Sequence, residues 1–243
     1  MVMVIEGMDL GIAENVEKIR RDLAEAAGSG AVLLVAATKM NSAGRVREAV
    51  AAGVDACGEN RVQEFLEKDA QGAYDGAPKH FIGHLQRNKV GKIVGRVDLI
   101  QSVDSEELLT LIDRRAAALG IVQDILIEIN IAGQAQKSGI EPERLGEMLE
   151  KSSACGRVRV RGLMCVPPIS TQNGGNRPYF ARMRQLLVDN GRKKYDNVSM
   201  DFLSMGMTDD YMDAIREGAN MIRIGSAIFG RRDYGAGKPP LEE

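Results

Sequence analysis

The chain has 243 residues, with 32 Lys+Arg against 34 Asp+Glu, a formal net charge of −2, 44% hydrophobic and 27% charged residues. This is the profile of a soluble globular protein; a disordered chain would be poorer in apolar residues, and a protein built around nucleic-acid phosphates would carry a basic excess. The longest unbroken apolar run, Ala31–Ala37, is far short of the roughly 20 residues that cross a bilayer. The N-terminus has no positive leader ahead of an apolar core, so no signal peptide is expected. Cys57, Cys155 and Cys165 are odd in number and widely spaced, which fits neither a disulfide framework nor a zinc site. A cytoplasmic protein with no membrane partner is expected.

Residues 10–26 carry Ile12, Val16, Ile19, Leu23 and Ala26, a helical stripe. Ala31–Ala37 then reads as a strand buried on both faces. Asn41 or Ser42 caps a helix holding Val46, Ala49 and Val50. A strand at Val54–Gly58, a helix marked by Val62, Phe65 and Leu66, a strand at Lys79–Gly83 and a helix marked by Val90, Ile93 and Val94 follow. The alternation continues with a strand at Val97–Gln101 and a helix opened by Asp104 and Glu107 at capping-box spacing. Next come a strand at Asp124–Ile131, a helix opened by Pro142, and a strand at Arg159–Val166. Pro167–Pro178 is a polar surface loop, after which Pro178 opens a helix. A strand at Asp201–Met205, a helix capped by Thr208 and a last strand at Met221–Gly225 complete the chain.

Ala31 to Gly230 holds eight strand signals in 200 residues. With no linker or low-complexity tract, the expectation is one domain over residues 1–243, a closed (β/α)8 TIM-type barrel with an extra N-terminal helix. An open doubly wound sheet is the alternative, but it would be expected to show a G-x-G-x-x-G turn after the first strand, where Thr38-Lys39-Met40-Asn41 stands instead.

Chemistry in such a barrel belongs at the C-terminal ends of the strands. Lys39 follows the first strand. Desolvation at a barrel mouth favours a neutral amine, the form that attacks aldehydes. Ser204 follows the seventh strand and Gly225-Ser226 the eighth, the corner where this fold commonly grips phosphate. Arg223, two residues before Gly225, alternates onto the same strand face. Its guanidinium either faces a ring nitrogen or pairs with a carboxylate such as Asp201. His80 and His84 bracket a strand end rather than share a helix face, so His80 reads as core, His84 as a cleft residue, and neither as a metal ligand. Cys57 and Cys165 read as buried small hydrophobes. Arg157, Arg159, Arg161 and the run Arg192-Lys193-Lys194 read as solvated surface, with no nucleic-acid partner.

The stretches Ala36-Ala37-Thr38-Lys39, Gly58-Glu59-Asn60-Arg61-Val62-Gln63-Glu64, His80-Phe81-Ile82-Gly83-His84-Leu85-Gln86-Arg87-Asn88-Lys89, Ser102-Val103-Asp104 and Lys137-Ser138-Gly139 are specific. With Arg161-Gly162-Leu163-Met164, Leu203-Ser204-Met205-Gly206-Met207 and the segment from Ile222 to Gly230, they form eight islands in order. By these the chain resembles, along nearly its whole length, the YggS family of pyridoxal 5′-phosphate (PLP) homeostasis proteins, also called proline synthetase co-transcribed homologues. The resemblance implies a fold like the N-terminal barrel of alanine racemase, a fold-type III PLP protein. It implies PLP held as a Schiff base on Lys39, its phosphate at Ser204, Gly225 and Ser226, Arg223 at the ring nitrogen, and Asn60 nearby.

Racemase relatives bring a second acid–base tyrosine on a C-terminal β-domain. Here 18 residues of the sequence follow the predicted eighth strand, and none of the five tyrosines (Tyr74, Tyr179, Tyr195, Tyr211, Tyr234) falls at a predicted strand end. The cofactor face is then expected to lie open to water, which does not protect carbanion chemistry. The expectation is a monomeric PLP-binding protein of PLP homeostasis, with little or no catalysis of its own and with PLP-dependent apo-enzymes as recipients. The alternative is a weak PLP-dependent amino-acid racemase.

Overall fold

The computed structural model describes residues 11–26, 30–192 and 195–230. Residue 10 of the first predicted helix, Lys193, Lys194 and Tyr234 lie outside them. Eight parallel strands close into a barrel in sequence order, with β1 pairing β8. They are β1 (Leu33–Ala37), β2 (Ala56–Glu59), β3 (Lys79–Phe81), β4 (Leu99–Val103), β5 (Gln123–Glu128), β6 (Val158–Met164), β7 (Val198–Ser204) and β8 (Met221–Ile224). The helices are α1 (Ile12–Ala26), α2 (Ala43–Ala51), α3 (Val62–Asp69), α4 (Val90–Ile93), α5 (Glu106–Leu119), α6 (Leu145–Ser153), α7 (Arg177–Gly191), α8 (Tyr211–Arg216) and α9 (Ser226–Phe229). The (β/α)8 barrel is as expected, and closure removes the open-sheet alternative.

Strand alternation sorts the core into two bodies. One face of the strands joins the helices in the larger body, where Ile12, Val16, Ile19 and Leu23 of α1 are buried. Each such burial stabilises by about 2 kcal/mol. The other face fills the barrel: Val35, Ala56, Leu99, Leu126, Met164 and Met221 form an apolar layer edged by Leu33 and Phe202. Because the period is two, inward residues recur at every second position toward the mouth. From that layer the count reaches Lys39, Asn60, Ile82, Glu128, Val166 and Gly225.

Three local expectations change. Helix α5 is capped one residue later than the capping box implied, with Ser105 Oγ accepting from Leu108 N at 3.4 Å. Asp104 instead faces His84. Thr208 does not cap α8; its hydroxyl reaches Ser226. Asp201 does not pair with Arg223; it holds Arg161 at 2.8 Å. Ser42 is the α2 cap of the two considered. Among the described residues no helix is long and apolar enough to cross a membrane.

Candidate functional site

Lys39 stands on the turn leaving β1, half-buried, in inward phase with Val35 and Ala37. The turn is held from its outer side. Met40 takes a left-handed φ of 61°, a conformation that is uncommon without glycine. Its N–H donates to Glu64 Oε2 at 2.7 Å. Lys68 Nζ donates to Thr38 O at 2.8 Å, Glu59 Oε2 at 2.6 Å and Glu64 Oε2 at 3.0 Å. Thr38 Oγ1 donates to Glu59 Oε2 at 2.9 Å. Glu59 is fully buried, so Lys68 compensates a charge that has no water. Burial works against ionisation of Glu64, but the Met40 N–H and the Lys68 ammonium outweigh it and hold its carboxyl below the usual range.

Beneath the mouth lies a polar layer. Arg223 Nη1 donates to Ser204 Oγ at 2.6 Å, and Nη2 donates to the Cys165 carbonyl at 2.8 Å. Ser204 Oγ donates to Gln101 Oε1 at 2.7 Å, and Gln101 Nε2 lies 2.9 Å from His80 Nδ1. Arg223 is 4% exposed and, among the described residues, has no carboxylate within ion-pairing distance. Desolvation pulls its pKa down, opposed by the charges of Glu128 and Asp210. Burial also pulls His80 down to about 4, so near neutrality its ring accepts from Gln101. His80 therefore belongs to the barrel interior, as expected, with a polar partner that sequence did not reveal. Cys57 and Cys165 are pushed up to about 12, first by burial, which makes them inert thiols.

Gly225 follows β8 and would bring a Cβ only to 3.6 Å from Ala37 Cβ, so β1 and β8 set Gly225 against Ala37, two residues before Lys39 on the same inward face. Ser226 opens α9, and its Oγ donates to Thr208 Oγ1 at 3.2 Å. Ser226 and Thr208 thus bring two hydroxyls to one corner. Ser204 is not with them: its side chain sits in the layer below, committed to Gln101 and Arg223. Thr208, Gln101 and Glu128 were not anticipated at the site.

A cavity of about 660 Å³ opens at the mouth, lined by Asn60, Ile82, Glu128 and Val166 from the strand ends and by His84, Lys89 and Lys92 among others. Gly83 is required there, because any Cβ would come within 2.3 Å of Asn60 O. The side-chain oxygen Asn60 Oδ1 is buried with no hydrogen-bond partner among the described residues. His84 Nδ1 lies 3.1 Å from Asp104 Oδ2 and 3.3 Å from Ser138 Oγ. It occupies the cleft, as expected, and does not converge with His80. Glu128 is 8% exposed and its carboxyl makes no hydrogen bond among the described residues. Burial, then the charge of Asp104, pushes it up to about 7, with Arg223 opposing.

Residues 11–233 match the alanine racemase N-terminal domain family. The chain is 43% identical to the pyridoxal phosphate homeostasis protein of Aquifex aeolicus over 85% of its own length and 90% of the relative's. With that of Pseudomonas aeruginosa it shares 41% identity over 93% and 97%. Among solved structures it is similar to PipY of Synechococcus elongatus with PLP bound, at 34% identity and a TM-score of 0.80, covering 90% of this chain and 100% of that one. The chain therefore belongs to the alanine racemase N-terminal domain family and, within it, to the pyridoxal phosphate homeostasis proteins.

Proposed function

We propose that this protein binds PLP through Lys39 at the barrel mouth and serves intracellular PLP homeostasis. It works as a monomer in the cytoplasm, with PLP-dependent apo-enzymes as recipients, and has little or no turnover of its own. The observation that carries this is Lys39 in inward phase on the turn leaving β1, above Arg223, which is buried with no carboxylate within ion-pairing distance among the described residues. The donor set fits the cofactor: one primary amine, a guanidinium aimed from the barrel floor, two hydroxyls at the β7–β8 corner, and the unpartnered Asn60 Oδ1. PLP supplies an aldehyde that condenses with a primary amine, a phosphate, and a pyridine ring that acts as an electron sink when protonated.

Lys39 is the condensing amine, and the Lys68–Glu59 network fixes the turn from which it reaches inward. Ser226, with Thr208 and the Gly225 backbone, would hold the phosphate. Ser204 would act through Arg223, whose orientation it sets, since its own hydroxyl is taken. Arg223 donates hydrogen bonds, accepts none and does not give up its proton, so it would leave a ring nitrogen unprotonated and weaken the electron sink. The described tyrosines lie elsewhere: Tyr74 stacks on Phe65, Tyr211 bonds Asp22, and Tyr179 and Tyr195 pack on the outer core.

The experiment is borohydride reduction of the protein incubated with PLP, followed by peptide mapping. A PLP adduct on Lys39 is expected, and an unmodified Lys39 contradicts the proposal. The second reading, a weak racemase, draws on Glu128, a second proton-exchanging group at the mouth. Assays for D-alanine, D-serine and D-glutamate decide between them: robust turnover contradicts the carrier role.

A further inference from the structure

We infer that the cavity at the mouth is a binding site for an acidic amino acid, its ammonium on Glu128 and its carboxylates on Lys89 and Lys92. Glu128 is the first support. It is inward-facing, more than nine-tenths buried, lines the cavity, and has no hydrogen-bond donor among the described residues. Its charged surroundings do not satisfy it. Asp104 repels it from the end of β4, and Arg223 is spent on Ser204 and the Cys165 carbonyl. A buried carboxyl without a donor is costly, and an ammonium is the group that satisfies it in both charge and hydrogen bonding.

The second support is independent and comes from other lining residues of the same cavity. Lys89 and Lys92 are three residues apart across the 3₁₀ turn Arg87–Lys89 and α4, so they project on one side. Neither has an ion-pair partner among the described residues, whereas the neighbouring Arg61 lies 3.8 Å from Glu64. Two cations without ion-pair partners among the described residues, lining one cavity with one buried carboxyl, match a ligand with two carboxylates and one ammonium. Val62, Ile82 and Val166 supply an apolar wall for its methylene stem. Gly225 and Ser226 do not line this cavity, so the phosphate corner stays separate. The use of such a ligand, an amine brought to the cofactor on Lys39, rests on the function proposed above; its binding does not.

Isothermal titration calorimetry with L-glutamate and with glutarate, which lacks the amine, tests the site in PLP-free and PLP-loaded protein. Glutamate is expected to bind about tenfold tighter than glutarate. Glu128→Gln is expected to invert the preference, weakening glutamate and strengthening glutarate by removing a repulsive carboxyl. Lys89→Ala/Lys92→Ala, at a half-buried and an exposed position outside the apolar core, weakens both by about tenfold. Equal affinity for the two ligands, a Glu128→Gln variant that weakens both alike, or no heat up to ~50 mM glutamate overturns the inference. A protein that stays colourless with PLP yet binds glutamate sinks the Lys39 proposal and leaves this one standing. A yellow protein that gives no heat does the reverse.

Discussion

Glu128 and His80 titrate in opposite senses over overlapping ranges. Glu128 is held at about 7 against an ordinary 4.5, so the folded state binds its proton more tightly than the unfolded state. Its contribution to stability is neutral below 4.5, falls as pH rises from about 4.5 to 7, and is level above. The loss amounts to about 3 kcal/mol. His80, held at about 4 against 6.5, contributes the opposite slope: the unfolded state takes the proton first, so stability rises between about 4 and 6.5. Glu128→Gln is therefore expected to gain stability over the parent progressively from pH 4.5 to 7, then by a constant margin. Urea melts across that range check it, and a pH-independent difference contradicts it. Glu128 was hidden in the sequence because the fifth strand read as Asp124–Ile131. The apolar run continues past the ladder, which ends at Glu128 before the lone bridge of Ile129 to Ile140. Ser204 was legible as a polar strand end, but strand phase alone could not show that Gln101 and Arg223 consume its hydroxyl below the mouth.

The β1–α2 turn shows how an element positions one amine. Thr38 and Glu59 face outward from β1 and β2, and Lys68 of α3 reaches between them. The left-handed Met40 costs on the order of 1 kcal/mol, offset by its hydrogen bond to Glu64. Lys68→Met leaves Glu59 charged and unpaired in a water-free site, and a loss of about 3–5 kcal/mol is expected. Equilibrium denaturation reads that loss, and a cost below about 1 kcal/mol would show that the network is not what holds the turn. Glu59 and Glu64 stood within a recognisable motif, yet their tie to Lys39 crosses from one strand–helix unit to the previous one, a relation that periodicity does not carry. Caps and ends were legible only to within one or two residues. Asp104 and Ser105 are both good caps, and what separates them is a tertiary partner, His84, which draws Asp104 away.

At the scale of the whole molecule, eight alternations of strand and helix signals were enough for the barrel, because a parallel strand covered on both faces is apolar throughout and its helices show a one-sided stripe. Closure itself, β1 on β8, is what brings the turn that carries Lys39 to the same mouth as Gly225 and gives that mouth its floor of Arg223, Ser204, Gln101 and His80. That floor came from four different strands, so no local window contained it. The most direct measurement is a visible-absorbance titration of the protein and of Lys39→Ala with PLP. The parent is expected to develop a saturable visible band at one equivalent, and the variant, with its fold unchanged by circular dichroism, to develop none. A band of equal strength in the variant, or none in the parent at saturation, would contradict the account.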